Sequence, residues 1–136
     1  MEARARGEVV TVPYLVDTDI LVDLLRRKKG AEDYLDSIGD WSLSIVTGME
    51  LVAGAKNKDE IREIDIVVAT YEAIPLNSEI GELAYNLMKT YAKSEGLDPS
   101  DAMIAATAIH EGLKLSTRNK KHFARIQRLD IDVPDY

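Results

Sequence analysis

The chain has 136 residues, 46% hydrophobic and 30% charged, a balance that suits one domain with a real core and excludes a disordered chain. It contains no cysteine, which excludes disulfides and thiolate-bound zinc and makes a reducing cytoplasm the expected compartment. A net charge of −7 argues against broad, charge-driven binding to nucleic acid, although acids gathered around a cation would reverse the local field.

Residues 1–12 carry two Arg and two Glu and no sustained apolar stretch, so they read as an N-terminal extension rather than a secretory signal. The domain is expected to occupy residues 13–136, and no apolar run in it is long enough to span a membrane. Residues 13–17 (PYLVD) read as a short strand ending in an acid. Residues 20–27 follow as a helix with Ile20, Leu21, Leu24 and Leu25 on one face, and 31–37 as a second helix broken by Gly39 and Asp40. Residues 41–45 alternate like a strand. Thr47 and Glu50 have capping-box spacing and are expected to open a helix reaching about residue 55. A helix over 58–70 and a weak strand over 73–76 come next. Ser78 is expected to cap a helix striped with Ile80, Leu83, Ala84, Leu87, Met88 and Tyr91, which Gly96 ends. Asp98 caps and Pro99 opens an Ala-rich helix to Glu111, whose alanines suit either close packing or plain helix propensity. Gly112 stops it, 113–117 is a strand, 120–128 a last short helix and 131–133 an edge strand. This alternation predicts an α/β fold with a mainly parallel central sheet of four to five strands flanked by helices.

Ligands of open α/β sheets gather beyond the carboxyl ends of the strands. Asp17 ends the first strand, Glu50 lies early in the helix after the second, Asp101 opens the helix before the third, and Asn119 follows that strand. Glu50 suits a capping box, Asp101 offsets a helix dipole, and Asp19 suits an early-helix acid. Asp17, closing an apolar strand, has no such routine explanation. Carboxylates brought together repel one another unless a cation compensates them, so convergence would imply metal. An all-oxygen set favours magnesium or manganese, ions that activate water and steady an in-line displacement at phosphorus.

Three strings carry a family likeness: YLVDTDILVDLL, SLSIVTGMELVAGA and DAMIAATAIHEGLKLSTRNKKHF. In order and spacing they resemble the motifs of PIN domains from about residue 14 to 123, with Asp17, Glu50 and Asp101 as the three acids. The third string is the most specific. The small size and motif variants most resemble the VapC-type toxins of toxin–antitoxin pairs. The resemblance implies a magnesium- or manganese-dependent endoribonuclease that leaves a 5′-phosphate and a 3′-hydroxyl, with Asp17, Glu50 and Asp101 as catalytic metal ligands. It further implies a homodimer and a cognate antitoxin, which is expected to place an Arg among the three acids. The family often carries a fourth acid where this chain has Asn119, or three residues on, where it has His122. One ion is therefore the expected complement, with Asp19 and Asn119 in supporting roles. Arg118 beside them is a candidate phosphate contact, whereas the basic run at 26–29 suits a helix C-terminus.

Three other readings compete. Asp17-Thr18-Asp19 after an apolar strand suggests a haloacid dehalogenase-type phosphatase, but Leu21 and the chain length fit that pattern poorly. His110, His122 and a Lys could serve a metal-free ribonuclease. A PIN fold that has lost catalysis could act as a binding module.

Overall fold

The computed structural model describes residues 13–136; the expected N-terminal extension, 1–12, lies outside the described residues. Among the described residues, four short strands, β1 (Tyr14–Val16), β2 (Trp41–Ser42), β3 (Lys114–Ser116) and β4 (Ile131–Asp132), form one sheet in the order β2-β1-β3-β4, and all neighbours run parallel. Seven helices of the same residues connect and cover them: α1 (Thr18–Leu25), α2 (Ala31–Ser37), α3 (Ile45–Ala53), α4 (Lys58–Thr70), α5 (Ser78–Glu95), α6 (Pro99–Glu111) and α7 (Lys120–Phe123).

Adjacent residues of a strand point to opposite faces, and β1 shows the consequence directly. Leu15 packs with Leu115, α5, α6 and Phe123 in one core, while Val16 packs with Ile20, Leu21, Leu35, Leu43, Leu51 and Ile64 in the other. The sheet is thus covered on both faces, as a parallel sheet requires. Ala102, Ala105, Ala106 and Ala108 are fully buried, so the alanines of α6 serve close packing, chiefly against α5.

Four expected local features are corrected. First, the cap of α3 is Ser44, whose Oγ accepts from the Val46 N–H at 3.0 Å, so Thr47 and Glu50 do not form a capping box. The extended backbone of Ser44 puts a hydroxyl over the helix start three residues earlier than expected. This shortens the expected strand 41–45 to Trp41–Ser42. Second, the strand expected at 73–76 is reduced to a single parallel bridge between Ser44 and Ile74. Pro75 has no N–H to extend the ladder, and its partner segment has already turned into α3. Third, Asn77 rather than Ser78 caps α5, accepting from the Ile80 N–H at 2.8 Å. Fourth, the last helix ends at Phe123 instead of 128. Phe123 and Ile126 are both buried at a spacing of three, and the backbone bonds from Ile126 N to Phe123 O and from Leu129 N to Ile126 O are tight-turn bonds. The edge strand before Pro134 is present as β4.

Candidate active site

β1 and β3 end side by side, with the Asp17 N–H donating to Ser116 O at 2.9 Å. Asp17 then serves as the N-cap of α1, its Oδ1 accepting from the Thr18 N–H at 2.8 Å. Its other oxygen accepts from the Thr117 hydroxyl at 2.7 Å, across a hundred residues of chain. Capping is a structural job that the sequence reading did not give Asp17. It does not explain why this cap is only 5% exposed. Burial, then the charge of Asp19, push its carboxyl up to about 7, against the hydrogen bonds from Thr117 and Thr18; Asp101 adds to the rise.

Asp19, in the first turn of α1, accepts from the Arg118 N–H at 3.0 Å through Oδ2. Its Oδ1 is buried and has no partner among the described residues. Burial raises this carboxyl too, with the Arg118 and Ile20 backbone N–H groups opposing. Asp101 follows its cap Asp98 on α6 and meets His122 Nδ1 through Oδ2 at 2.9 Å. Its carboxyl is likewise raised, first by burial, with the His122 hydrogen bond acting the other way.

Glu50 reaches the site by a different route. It lies one turn into α3 on an exposed surface, and its Oε1 accepts from the Thr18 hydroxyl at 2.6 Å. Thr18 Oγ1 also lies 2.9 Å from the hydroxyl of the fully buried Thr47. One hydroxyl has one proton, so Thr18 donates to Glu50 and receives from Thr47. Asn119 occupies the turn before α7; its N–H donates to Thr117 Oγ1 at 3.0 Å, and its Nδ2 stands 2.8 Å from His122 Nδ1. That ring nitrogen serves one neighbour at a time: protonated it donates to Asp101, bare it accepts from Asn119.

The structure therefore couples Asp17, Asp19 and Asp101 electrostatically at one sheet edge, and ties Glu50 to them only through Thr18. Among the described residues no three acidic or imidazole side chains stand close enough to enclose an ion between them. Arg118 lies at this edge, but its Nη1 donates to Asp23 Oδ2 at 2.8 Å, so the guanidinium is already braced. His110 does not join the site: its ring nitrogens face Glu79 and Glu111. Sequence reasoning missed Thr18, Thr47 and Thr117, the hydroxyls that hold the acids. Thr117 left no local signal in the sequence, because it meets Asp17 only through the pairing of β1 with β3.

This arrangement, an all-parallel sheet with carboxylates beyond two central strand ends, defines a class before any relative is considered. The family model described as "PIN domain" matches residues 14–129. The chain belongs to the PIN-domain family. It is 33% identical over 85% of its length to ribonuclease VapC10 of Mycobacterium tuberculosis, covering 89% of that protein. It is also 28% identical to ribonuclease VapC1 of Methanocaldococcus jannaschii, over 89% of this chain and 86% of that one. Among solved structures it is similar to a chain of a toxin–antitoxin complex from Klebsiella pneumoniae. That match has 32% identity and a TM-score of 0.74, and covers 85% of this chain and 94% of the other. The phosphatase reading falls with this family membership.

Proposed function

We propose that this chain is a divalent-metal-dependent endoribonuclease acting in the cytoplasm as the toxin of a toxin–antitoxin pair. The observation that carries the proposal is Asp17, a carboxyl 5% exposed at a strand end and opposed by the charges of Asp19 and Asp101. No packing need accounts for three acids held against their own repulsion, and a cation relieves it.

Magnesium or manganese fits the donors present. The buried Oδ1 of Asp19 accepts no hydrogen bond among the described residues, and the surrounding donors are almost all oxygen. Because these side chains stand too far apart to enclose a bare ion, Asp17, Glu50 and Asp101 would hold it in part through the waters such an ion retains, with Asp19 and Asn119 assisting through water. A bound cation supplies Lewis acidity and lowers the pKa of an attached water. The chain's own residues do the positioning. Thr117 and the Thr18 N–H fix both Asp17 oxygens, Thr18 fixes Glu50, and His122 orients Asp101. RNA is the substrate, cut by water to leave a 5′-phosphate and a 3′-hydroxyl. The partners are a cognate antitoxin, reaching the acids with an Arg, and a second copy of this chain.

The test is cleavage of single-stranded RNA by the purified chain in magnesium or manganese. Cutting should stop with chelator and in Asp101→Asn. Cutting that persists in both overturns the metal assignment. A chain that binds metal and RNA yet never cuts would be the binding module instead.

A further inference from the structure

Tyr136 lies outside the acidic cluster and is tied to it through one residue. Its hydroxyl donates to Asp23 Oδ2 at 2.6 Å, the same oxygen that accepts from Arg118 Nη1 at 2.8 Å. Its ring also lies under the Arg118 guanidinium, with 5.1 Å between Cζ and the ring centroid, which is cation–π range. From behind, the ring rests against Tyr34, centroid to centroid 5.9 Å. Gly30 makes the seat: at its φ of +94° a Cβ would stand 2.6 Å from Tyr136 Cβ. Tyr34 is itself fixed from two sides, by Ser116 and by a 2.6 Å bond to Asp132. The ring is therefore backed by the sheet.

Two independent contacts thus hold one guanidinium. Burial works against ionisation of Asp23, but the hydrogen bonds from Tyr136 and Arg118, and the Arg118 charge, outweigh it and keep this carboxyl below its ordinary range. Arg118 is anchored at its other end as well, its N–H on Asp19. A loose surface arginine gives up much of its rotamer freedom on binding an anion, whereas a braced one has already done so. Arg118 keeps donors for that purpose. A guanidinium has five N–H groups; among the described residues only Nη1 donates from this side chain, which is 36% exposed.

We propose that Tyr136 is a positioning residue, which together with Asp23 holds Arg118 as a fixed arm for a phosphate of the RNA strand beside the acidic edge. The proposal rests on the ribonuclease reading. It adds that an acidic chain supplies its phosphate contact from a preorganised cation rather than from a basic surface.

The test measures binding of a fluorescent single-stranded RNA in chelator by the full chain carrying Asp101→Asn, so that binding is read without cutting. Arg118→Gln should weaken binding about tenfold, the loss of one charge-assisted hydrogen bond. It should also flatten the slope of log affinity against log salt by roughly 0.7, the contribution of one phosphate contact on a single strand. Tyr136→Ala should reproduce most of both effects, and adding it to Arg118→Gln should cost nothing further. Tyr136→Phe, which keeps the ring and loses the hydroxyl, should fall between and decides the matter if Tyr136→Ala fails to fold. Additive losses overturn the proposal, as do Tyr136 variants with lower melting temperature but parental affinity and salt slope. A parent chain that neither binds nor cuts RNA overturns the ribonuclease reading itself, a result distinct from either.

Discussion

Asp17 is expected to cost the cation-free protein stability, and Asp17→Asn should therefore be more stable than the parent while losing activity. The folded carboxyl is raised from 3.8 to about 7, so the native state holds a proton that the unfolded chain releases between those values. Stability is complete below 3.8, falls as the pH rises toward about 7, and stays low above it. A gap of about three pKa units corresponds to about 4 kcal/mol at pH 8. Asn removes that charge but not all hydrogen bonding. Its oxygen can accept from the Thr18 N–H and its amide can donate to Thr117, which leaves the Thr117 proton without its carboxylate. That loss offsets about 1 kcal/mol. The net gain of about 3 kcal/mol at pH 8 corresponds to a rise in melting temperature of roughly 10 °C for a domain of this size. The assay is thermal unfolding of both chains in chelator at pH 4, 6 and 8. The difference should be small or reversed at pH 4 and largest at pH 8. Manganese should then raise the parent's melting temperature and leave the variant's unchanged. A variant no more stable than the parent at pH 8, or an advantage independent of pH, would refute the argument that Asp17 is a buried, uncompensated acid.

Asp101→Asn should abolish RNA cutting while circular dichroism and melting change little, because shape and the contact with His122 can be kept. Thr18→Val removes the hydroxyl that holds Glu50 and should weaken manganese binding about tenfold, read by calorimetry; unchanged affinity would detach Glu50 from the site. Light scattering should show a homodimer at about tens of micromolar, a concentration chosen from typical association affinities, and a monomer there would remove the self-association claim.

Much of the fold was legible because period and punctuation agreed: Asp98-Pro99 and Gly112 bound α6 where the sequence places them, and the α5 stripe buries Ile80, Ala84 and Leu87. Two of the errors fell where two residues of similar chemistry competed for one cap. Ser44 and Thr47 both offer a hydroxyl for a cap, and only the position of Ile74, thirty residues away, makes Ser44 the residue at which strand gives way to helix. This correction changes the meaning of Glu50. As a capping-box member it had a structural excuse; one turn into a helix and bound to Thr18, it has none. Asp17 moved the other way and acquired a cap role, yet its burial marks it more strongly than its position in the sequence did. The hydroxyl partners could not be read locally, because Thr117 and Asp17 are a hundred residues apart and meet only through strand pairing.

The charge state of the pocket links its ligands to one another. Asp17 is pushed up to about 7, chiefly by burial and next by Asp19, and Asp19 and Asp101 are raised as well, each first by burial. Without a cation the pocket therefore holds a proton near neutral pH, and any cation that enters must displace it. Metal affinity should fall about tenfold for each pH unit below that value, for each proton released. The same competition applies to an antitoxin guanidinium placed among Asp17, Glu50 and Asp101. Metal binding and antitoxin inhibition should weaken together as the pH falls, while antitoxin contacts on apolar surface away from the acids keep the complex assembled. Calorimetry of manganese binding in two buffers of different ionisation enthalpy counts the protons released. About one is expected at pH 6 and nearly none at pH 8.5. Release of no proton at pH 6 would mean that the ion does not bind at Asp17. Antitoxin inhibition unaffected by pH would mean that no guanidinium enters the pocket.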